Sequence, residues 1–357
     1  MFKPNLTITS KIMNTLLKIE ALKENIKNLP ITPGVMRVLY ETARLSSVHF
    51  STRIEGNRLT QKEIEIIINE GGHFAGRERD EREIKGYFTA LEWMEDNTGR
   101  PLTETTIKTL HALVEGGGKR RVKPTPYRDG QNAVKDSLSG RIVYMPPEAP
   151  DVPALMKDMV KWINSEDTEL PCPIISAVAH YQFVTIHPYY DGNGRTARLL
   201  ATLILHRGGY DLKGLYSLEE YYARDLPAYY NALSRGGSHN YYYGGAEADI
   251  TPWVEYFTEG MLDAFEHVKL RAYEASLQGA EDRSSRLRNL SPRQRKILTL
   301  FETRETITSK EVANLFRFGD RSARSFCRSL VEEGILVIFN SANKTRSYRL
   351  AENLFQQ

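Results

Sequence analysis

Cysteine is scarce in this chain: Cys172 and Cys327 are the only two among 357 residues, and they lie far apart. That excludes a disulfide framework and a Cys-rich zinc cluster, and it fits a reducing compartment. Long apolar runs are lacking too. No stretch approaches the ~20 apolar residues of a membrane-spanning helix. The opening Met1-Phe2-Lys3-Pro4-Asn5 has neither an apolar core nor a small-residue cleavage site, so no secretion signal is expected. Internal repeats and low-complexity tracts are absent. The expectation is a cytoplasmic protein with no membrane partner. Its length allows two or three domains with a sizeable core.

Charge is present but uneven. The formal net charge is +3. From Arg283 to Leu350 there are 15 Lys and Arg against 6 Asp and Glu, a local +9 that leaves the remainder near −6. Such asymmetry suggests that one part alone meets an anionic partner.

The densest chemistry lies in His187-Pro188-Tyr189-Tyr190-Asp191-Gly192-Asn193-Gly194-Arg195-Thr196-Ala197-Arg198. A titratable base, a carboxylate, a Gly-Asn-Gly turn and two arginines fall within twelve residues. Asp191 suits a divalent cation, since Mg²⁺ prefers one or two carboxylates plus phosphate oxygens. Gly192 and Gly194 remove Cβ atoms where backbone turns sharply or touches a ligand. Apolar residues Ala197, Leu199, Leu200, Leu203 and Ile204 follow at helical spacing, so the turn opens a helix, whose N-terminus is an anion site. Arg195 and Arg198 are expected on one face of its first turns.

This run resembles the signature of the Fic family of nucleotidyl transferases, His-Pro-Phe-x-Asp/Glu-Gly-Asn-Gly-Arg-x-x-Arg. Tyr189 stands where the family usually has Phe. Most Fic enzymes move AMP from ATP to a protein hydroxyl. The resemblance implies His187 as the general base for a target Ser, Thr or Tyr, and Asp191 as the holder of Mg²⁺ on the α- and β-phosphates. Gly192, Asn193 and Gly194 would cradle the α-phosphate, Arg195 would steady the phosphates, and Arg198 would reach the γ-phosphate. Thr196 and Ala197 count among the nucleotide-binding residues.

Upstream, Ser51-Thr52-Arg53-Ile54-Glu55-Gly56 is similar to the family's inhibitory pattern, Ser/Thr-x-x-x-Glu-Gly/Asn. There the glutamate pairs with the second signature arginine, here Arg198, so an inhibitory helix is expected at about 45–57, with Ser51 and Glu55 as its functional residues. Arg141-Ile142-Val143-Tyr144-Met145 reads as a strand ended by Pro146-Pro147, framed upstream by Tyr127-Arg128 and Ser139-Gly140. It stands where Fic proteins carry a β-hairpin flap beside the nucleotide, here about 139–147, with Ile142, Val143 and Tyr144 as contacts. Tyr229-Tyr230 resembles a pair that the family often places near the adenine. His180, seven residues before His187, reads as structural.

The organisation follows as a helical region over 1–115, a Fic-type helical core with its flap over 116–277, and a basic unit over 284–357. Glu281 to Arg286 reads as a linker. In the last unit three helices and a strand pair follow in the order of a winged helix. Thr308 or Ser309 suits an N-cap, with Glu311 at the capping-box position. Arg321, Arg324 and Arg328 are expected on one face of the third helix, with Lys344 and Arg346 on the wing, an arrangement that suits DNA; the alternative is a protein-docking or dimer module, which winged helices also serve as. The fold class is therefore mainly α, with a winged helix-turn-helix at the end. The resemblance implies an autoinhibited protein adenylyltransferase using ATP and Mg²⁺, acting on a target protein or on itself, and commonly a homodimer. Three other readings remain: a nucleotide-sensing DNA-binding regulator, transfer of another group, and AMP removal.

Overall fold

The computed structural model describes residues 2–28, 33–135, 140–165, 169–236, 239–278, 290–301, 306–340, 342 and 346–351. Two compact units are present: Met1–Lys23, Ala43–Leu212 and Tyr216–His267 form one, and Glu24–Thr42, Lys213–Leu215 and Val268–Gln357 the other.

The opening region is helical: α1 Ser10–Lys27, α2 Pro33–Ile54, α3 Gln61–Asn69, α4 Glu78–Asp96 and α5 Glu104–Val114. Their starts are written locally. Thr60 and Glu63 form a capping box on α3, and Thr103 and Thr106 do so on α5. A short antiparallel pair follows, β1 Val134–Lys135 with β2 Ile142–Tyr144, in register Val134 to Tyr144. Ser139, the start of the expected flap, lies outside the described residues. Met145 continues from β2 into a parallel bridge with Asn240.

Next come α6 Val152–Ile163, α7 Cys172–Ile186, α8 Asn193–Arg207, α9 Leu218–Arg224, α10 Leu226–Leu233 and α11 Thr251–Gln278. Helix α7 is apolar nearly all round, and twelve of its fifteen residues are buried, as expected of a helix at the centre of a domain. Helix α8 packs on α7, α5 and α4. One core joins Val48, Ile84 and Leu110 with Met156, Phe183 and Leu200. The boundary expected at 115/116 thus divides no core, because α4 and α5 supply the surface that α8 buries. His180 is fully buried and stacks on Trp253, with ring centroids 4.8 Å apart.

The second unit contains α12 Pro292–Leu298, β3 Ile307–Thr308, α13 Ser309–Phe316, α14 Asp320–Glu332, β4 Leu336–Asn340 and β5 Ser347–Leu350. The strands form an antiparallel sheet of order β3-β5-β4. Thr308 and Glu311 make the expected capping box on α13. Ile297, Val312, Ala323, Cys327, Leu330 and Tyr348 close a separate small core. The proposed linker 281–286 and Lys344 lie outside the described residues.

Candidate active site

Helix α7 ends on His187, which adopts a left-handed conformation, φ 51° and ψ 59°. A non-glycine residue there carries strain that the surroundings must over-determine. They do so through hydrogen bonds. The His187 N–H reaches Phe183 O at 3.0 Å. Its Nδ1 lies 3.2 Å from Val184 O. A carbonyl can only accept, so Nδ1 carries the proton and Nε2 keeps its lone pair. Burial pushes the imidazole below its ordinary value, favouring the neutral form.

The loop from His187 to Gly192 is held from several sides. Asn193 accepts from Tyr189 N–H at 3.0 Å and donates to Tyr189 O at 2.8 Å. Its side chain thus braces the loop. The Tyr189 ring stacks on His111, centroids 3.6 Å apart. His111 Nε2 donates to Asp191 O at 2.9 Å, and burial pushes this imidazole down to about 4.

Arg128, 4% exposed, is the main clamp. Its Nε donates to His187 O at 2.9 Å, its Nη1 to Gly130 O at 3.0 Å and its Nη2 to Pro147 O. Tyr144 Oη donates to Thr185 O at 2.9 Å, tying β2 to the end of α7. Ile142 and Val143 stay exposed.

Gly192 caps α8 in a left-handed conformation, φ 73°. A Cβ there would stand 2.6 Å from Glu115 Oε1. The N–H groups of Asn193, Gly194 and Arg195 begin the helix without intrahelical partners. The two signature arginines, expected on one face, have different surroundings. Arg195 Nη2 lies 3.0 Å from Glu115 and 3.4 Å from Asp191. Arg198 donates from Nε to Ser51 Oγ and from Nη2 to Ser51 O and to Glu55 Oε1, each at 2.8 Å. Burial opposes the Arg198 charge, but the Glu55 carboxylate together with the phenols of Tyr229 and Tyr87 outweighs it and keeps the guanidinium raised. A Cβ on Gly194 would collide with Glu55 Oε1. The Glu55 carboxylate therefore rests on the first turn of α8.

Other expected contacts are placed differently. Thr196 and Ala197 are fully buried, and the Thr196 N–H is already donated to Gly192 O at 2.9 Å. Their side chains are buried on α8, as are those of Arg195 and Arg198. Tyr229 is 1% exposed, with its phenol 3.3 Å from His180 Nε2 and its ring stacked on Tyr222. It offers no open face to a base; Tyr230, 48% exposed, does. Asp191 Oδ1 accepts from Gly192 N–H at 2.6 Å, and its side chain is 71% exposed.

In the second unit Arg321, Arg324 and Arg328 are exposed along α14. Arg346, exposed, directly precedes β5.

Sequence reasoning missed Arg128, His111, Glu115 and Asn132, whose Nδ2 donates to Tyr189 O at 3.0 Å. The one signal was Glu115 four after His111 on an otherwise apolar helix end.

A helical domain with a half-buried histidine at one helix end and a glycine-framed turn at the next helix start is the class defined here. Residues 101–205 match the model of the Fic/DOC family, so the chain carries a Fic domain. It is 31% identical over 216 residues to Protein adenylyltransferase fic-1 of Caenorhabditis elegans, covering 58% of this chain and 41% of that protein. It is 29% identical over 239 residues to Protein adenylyltransferase Fic of Drosophila melanogaster, covering 65% and 44%. The chain thus spans about two fifths of the length of the curated relatives it matches. A solved Fic family protein from Desulfovibrio desulfuricans G20 shares the fold, with TM-score 0.61, 24% identity, and 98% and 99% of the two chains covered.

Proposed function

We propose that this chain is a protein adenylyltransferase that moves AMP from ATP to a Ser, Thr or Tyr hydroxyl, and that Glu55 holds it inactive. One observation carries the reading: the Glu55 carboxylate lies on Arg198 and against Gly194, at the first turn of α8. Such a helix start favours an anion, and the chain's own carboxylate fills it. Relatives named adenylyltransferases support the reaction class.

In the productive state the target hydroxyl attacks the α-phosphorus of ATP. Its proton passes to His187 Nε2, the bond to the β-phosphate oxygen breaks, and pyrophosphate leaves. Arg195 and the free N–H groups of the first α8 turn stabilise the charge that develops on the α-phosphate oxygens. The outer phosphates need Arg198, so Glu55 and ATP compete for it. Arg198 is buried, whereas the Glu55 side chain is 34% exposed, so the carboxylate is the partner free to leave. It lines a cavity of about 280 Å³ together with Arg58, Arg77, Arg79, Asp80 and Glu83, in which Arg77 pairs with Asp80 and Arg79 with Glu83.

Asp191 fits a cation shared with phosphate. Its side chain is largely exposed, and among the described residues no cluster of three or more His, Cys, Asp or Glu could hold a metal by itself. Magnesium on Asp191 and phosphate oxygens would neutralise triphosphate charge. The exposed β2 backbone suits an extended target segment added as a strand.

The test gives wild type, Glu55→Gly and Glu55→Gly/His187→Ala protein α-labelled ATP and Mg²⁺, then resolves them on a denaturing gel. Label on protein in Glu55→Gly, little in wild type and none in the double variant is the expected result. No label in any form would discard the reading.

A second reading concerns the C-terminal unit. Helices α13 and α14 are joined by Arg317-Phe318-Gly319, the short glycine-containing turn of a helix-turn-helix. With three arginines exposed on α14, we propose a winged helix that binds duplex DNA.

A further inference from the structure

Glu219 lies on α9, outside the signature, and is 3% exposed. Hydroxyls from three places converge on its carboxylate. Oε1 accepts from Tyr87 Oη of α4 at 2.8 Å. Oε2 accepts from Ser217 Oγ, at the N-cap of α9, at 2.8 Å and from Ser47 Oγ of α2 at 3.1 Å. All three donors are themselves buried. Burial, and then the Glu219 charge, push the Tyr87 phenol well up, so it stays a donor. A buried carboxylate needs such donors, because desolvation without them is costly.

Ser47 is the informative partner. It stands eight residues before Glu55, two steps of four, so Ser47, Ser51 and Glu55 share one stripe of α2. With a rise of about 1.5 Å per residue, the stripe is about 12 Å long. At one end Ser47 meets Glu219; toward the other, Ser51 and Glu55 meet Arg198. The remaining contacts of this part of α2 are less directional. Val48 and Ile54 are buried. Arg44 ion-pairs with Glu92 and Glu95 of α4 at 3.4 and 3.7 Å.

Apolar burial is non-directional, so it docks a helix without fixing its rotation about its own axis. A hydrogen bond to a charged acceptor does depend on direction. Tyr87 and Ser217 hold that acceptor still, and Ser47 ties α2 to it. We infer that Glu219 is a positioning residue for the inhibitory carboxylate: through Ser47 it sets the rotation of α2, and thereby the seat of Glu55 on Arg198. With Ser47 released, α2 stays docked through Val48, Ile54 and Arg44, but its stripe turns and Glu55 no longer rests squarely on the guanidinium. Inhibition then weakens although Glu55 is intact.

The effect on transfer rests on the proposed adenylyltransferase reading; the placement of Glu55 and Ser51 on Arg198 does not. The full chain carrying Glu219→Gln or Ser47→Ala, each alone and with Glu55→Gly, is therefore read in two ways. Proton exchange of the Arg198 side-chain Nε–H, followed by NMR on arginine-labelled protein, needs no nucleotide. Exchange should be about tenfold faster in both variants, while the Arg128 Nε–H, which is bonded to His187 O away from α2, changes less than twofold. Unchanged Arg198 exchange in either variant would overturn the inference. Equal acceleration at Arg128 would mark general loosening and overturn it too. Label transfer from α-labelled ATP should rise about tenfold over wild type in each single variant, and change less than threefold when Glu55→Gly is present. A residue that merely supports the fold would lower transfer in both backgrounds, and that result would overturn the inference. A Glu55→Gly parent that transfers no label would instead reject the adenylyltransferase reading, and the exchange result would still decide the role of Glu219. Should Glu219→Gln fail to fold, Ser47→Ala alone decides, because it removes one hydroxyl and leaves the carboxylate its other two donors.

Discussion

Glu55 and Arg198 are 143 residues apart in sequence, yet their side chains meet at 2.8 Å over the backbone of Gly194. Each member of this contact has a different reason to be there. Arg198 is buried and held by Ser51 from behind. Glu55 follows the last residue of α2, with Gly56 in a left-handed conformation, φ 92°, ending the helix. Gly194 has an ordinary φ, so its lack of a side chain serves closeness rather than conformation.

Gly194→Ala separates those two reasons. Alanine suits the backbone there and favours a helix by up to about 1 kcal/mol over glycine. Its Cβ would still collide with Glu55 Oε1 and come within 3.2 Å of Arg198 Nη1. In the Glu55→Gly background, where that collision is absent, the variant should melt no earlier than its parent yet bind ATP at least tenfold more weakly. Calorimetry combined with a thermal melt checks both. Normal ATP affinity would show that the ligand does not approach this turn.

The contrast between such local features and distant ones explains what the sequence disclosed. The signature, the helix it opens and the capping box of Thr308 and Glu311 are legible because each is set within a few residues. Arg128 is different. It sits in a stretch read as a plain turn, and its clamp on His187 O spans 59 positions. Tyr87 and Glu219 are 132 positions apart, and nothing in helical periodicity marks a buried tyrosine as the partner of a buried carboxylate.

The titration of His187 gives a signed prediction. Burial lowers its pKa in the folded chain, while nearby Glu55 works to raise it. The neutral imidazole is the active form, so transfer should persist as pH falls below the ordinary value of 6.5 and be lost only as pH passes the depressed value. Removing Glu55 deletes a raising influence and moves the loss further toward acid. A pH–rate profile of the Glu55→Gly form, measured with saturating ATP, should show an acid midpoint below 6.5. A midpoint at or above 6.5 would contradict a buried base.

DNA binding through α14 predicts a salt dependence. Each phosphate contact contributes about 0.9 to the slope of log affinity against log salt. Replacing Arg321, Arg324 and Arg328 together by alanine should lower that slope by up to about 3 and weaken duplex binding at least tenfold. These residues are exposed, so the thermal midpoint should stay put. Fluorescence anisotropy with random-sequence duplexes at several salt concentrations reads both quantities. Equal binding by the triple variant would place the contact elsewhere, and binding to anionic vesicles but not to duplex would replace DNA by a membrane surface.

Arg128 is the sharpest test of how the catalytic loop is held. Its three donor nitrogens reach His187 O, Gly130 O and Pro147 O, joining the end of α7 to the segment after β2. Hydrogen bonds to a charged group contribute about 1.5–3 kcal/mol each, and partners left buried add their own cost. Arg128→Ala should therefore lose about 2–4 kcal/mol in denaturant unfolding. Arg128→Lys should recover little, because one ammonium cannot span three carbonyls that a planar fork reaches. The catalytic consequence separates from the stability loss at low temperature, where both variants remain folded. With His187 still present but its strained φ no longer enforced, label transfer in the Glu55→Gly background should fall at least a hundredfold, while ATP affinity, which depends on α8, changes less than threefold. If transfer and affinity fell together, Arg128 would be supporting the whole site rather than the conformation of the base.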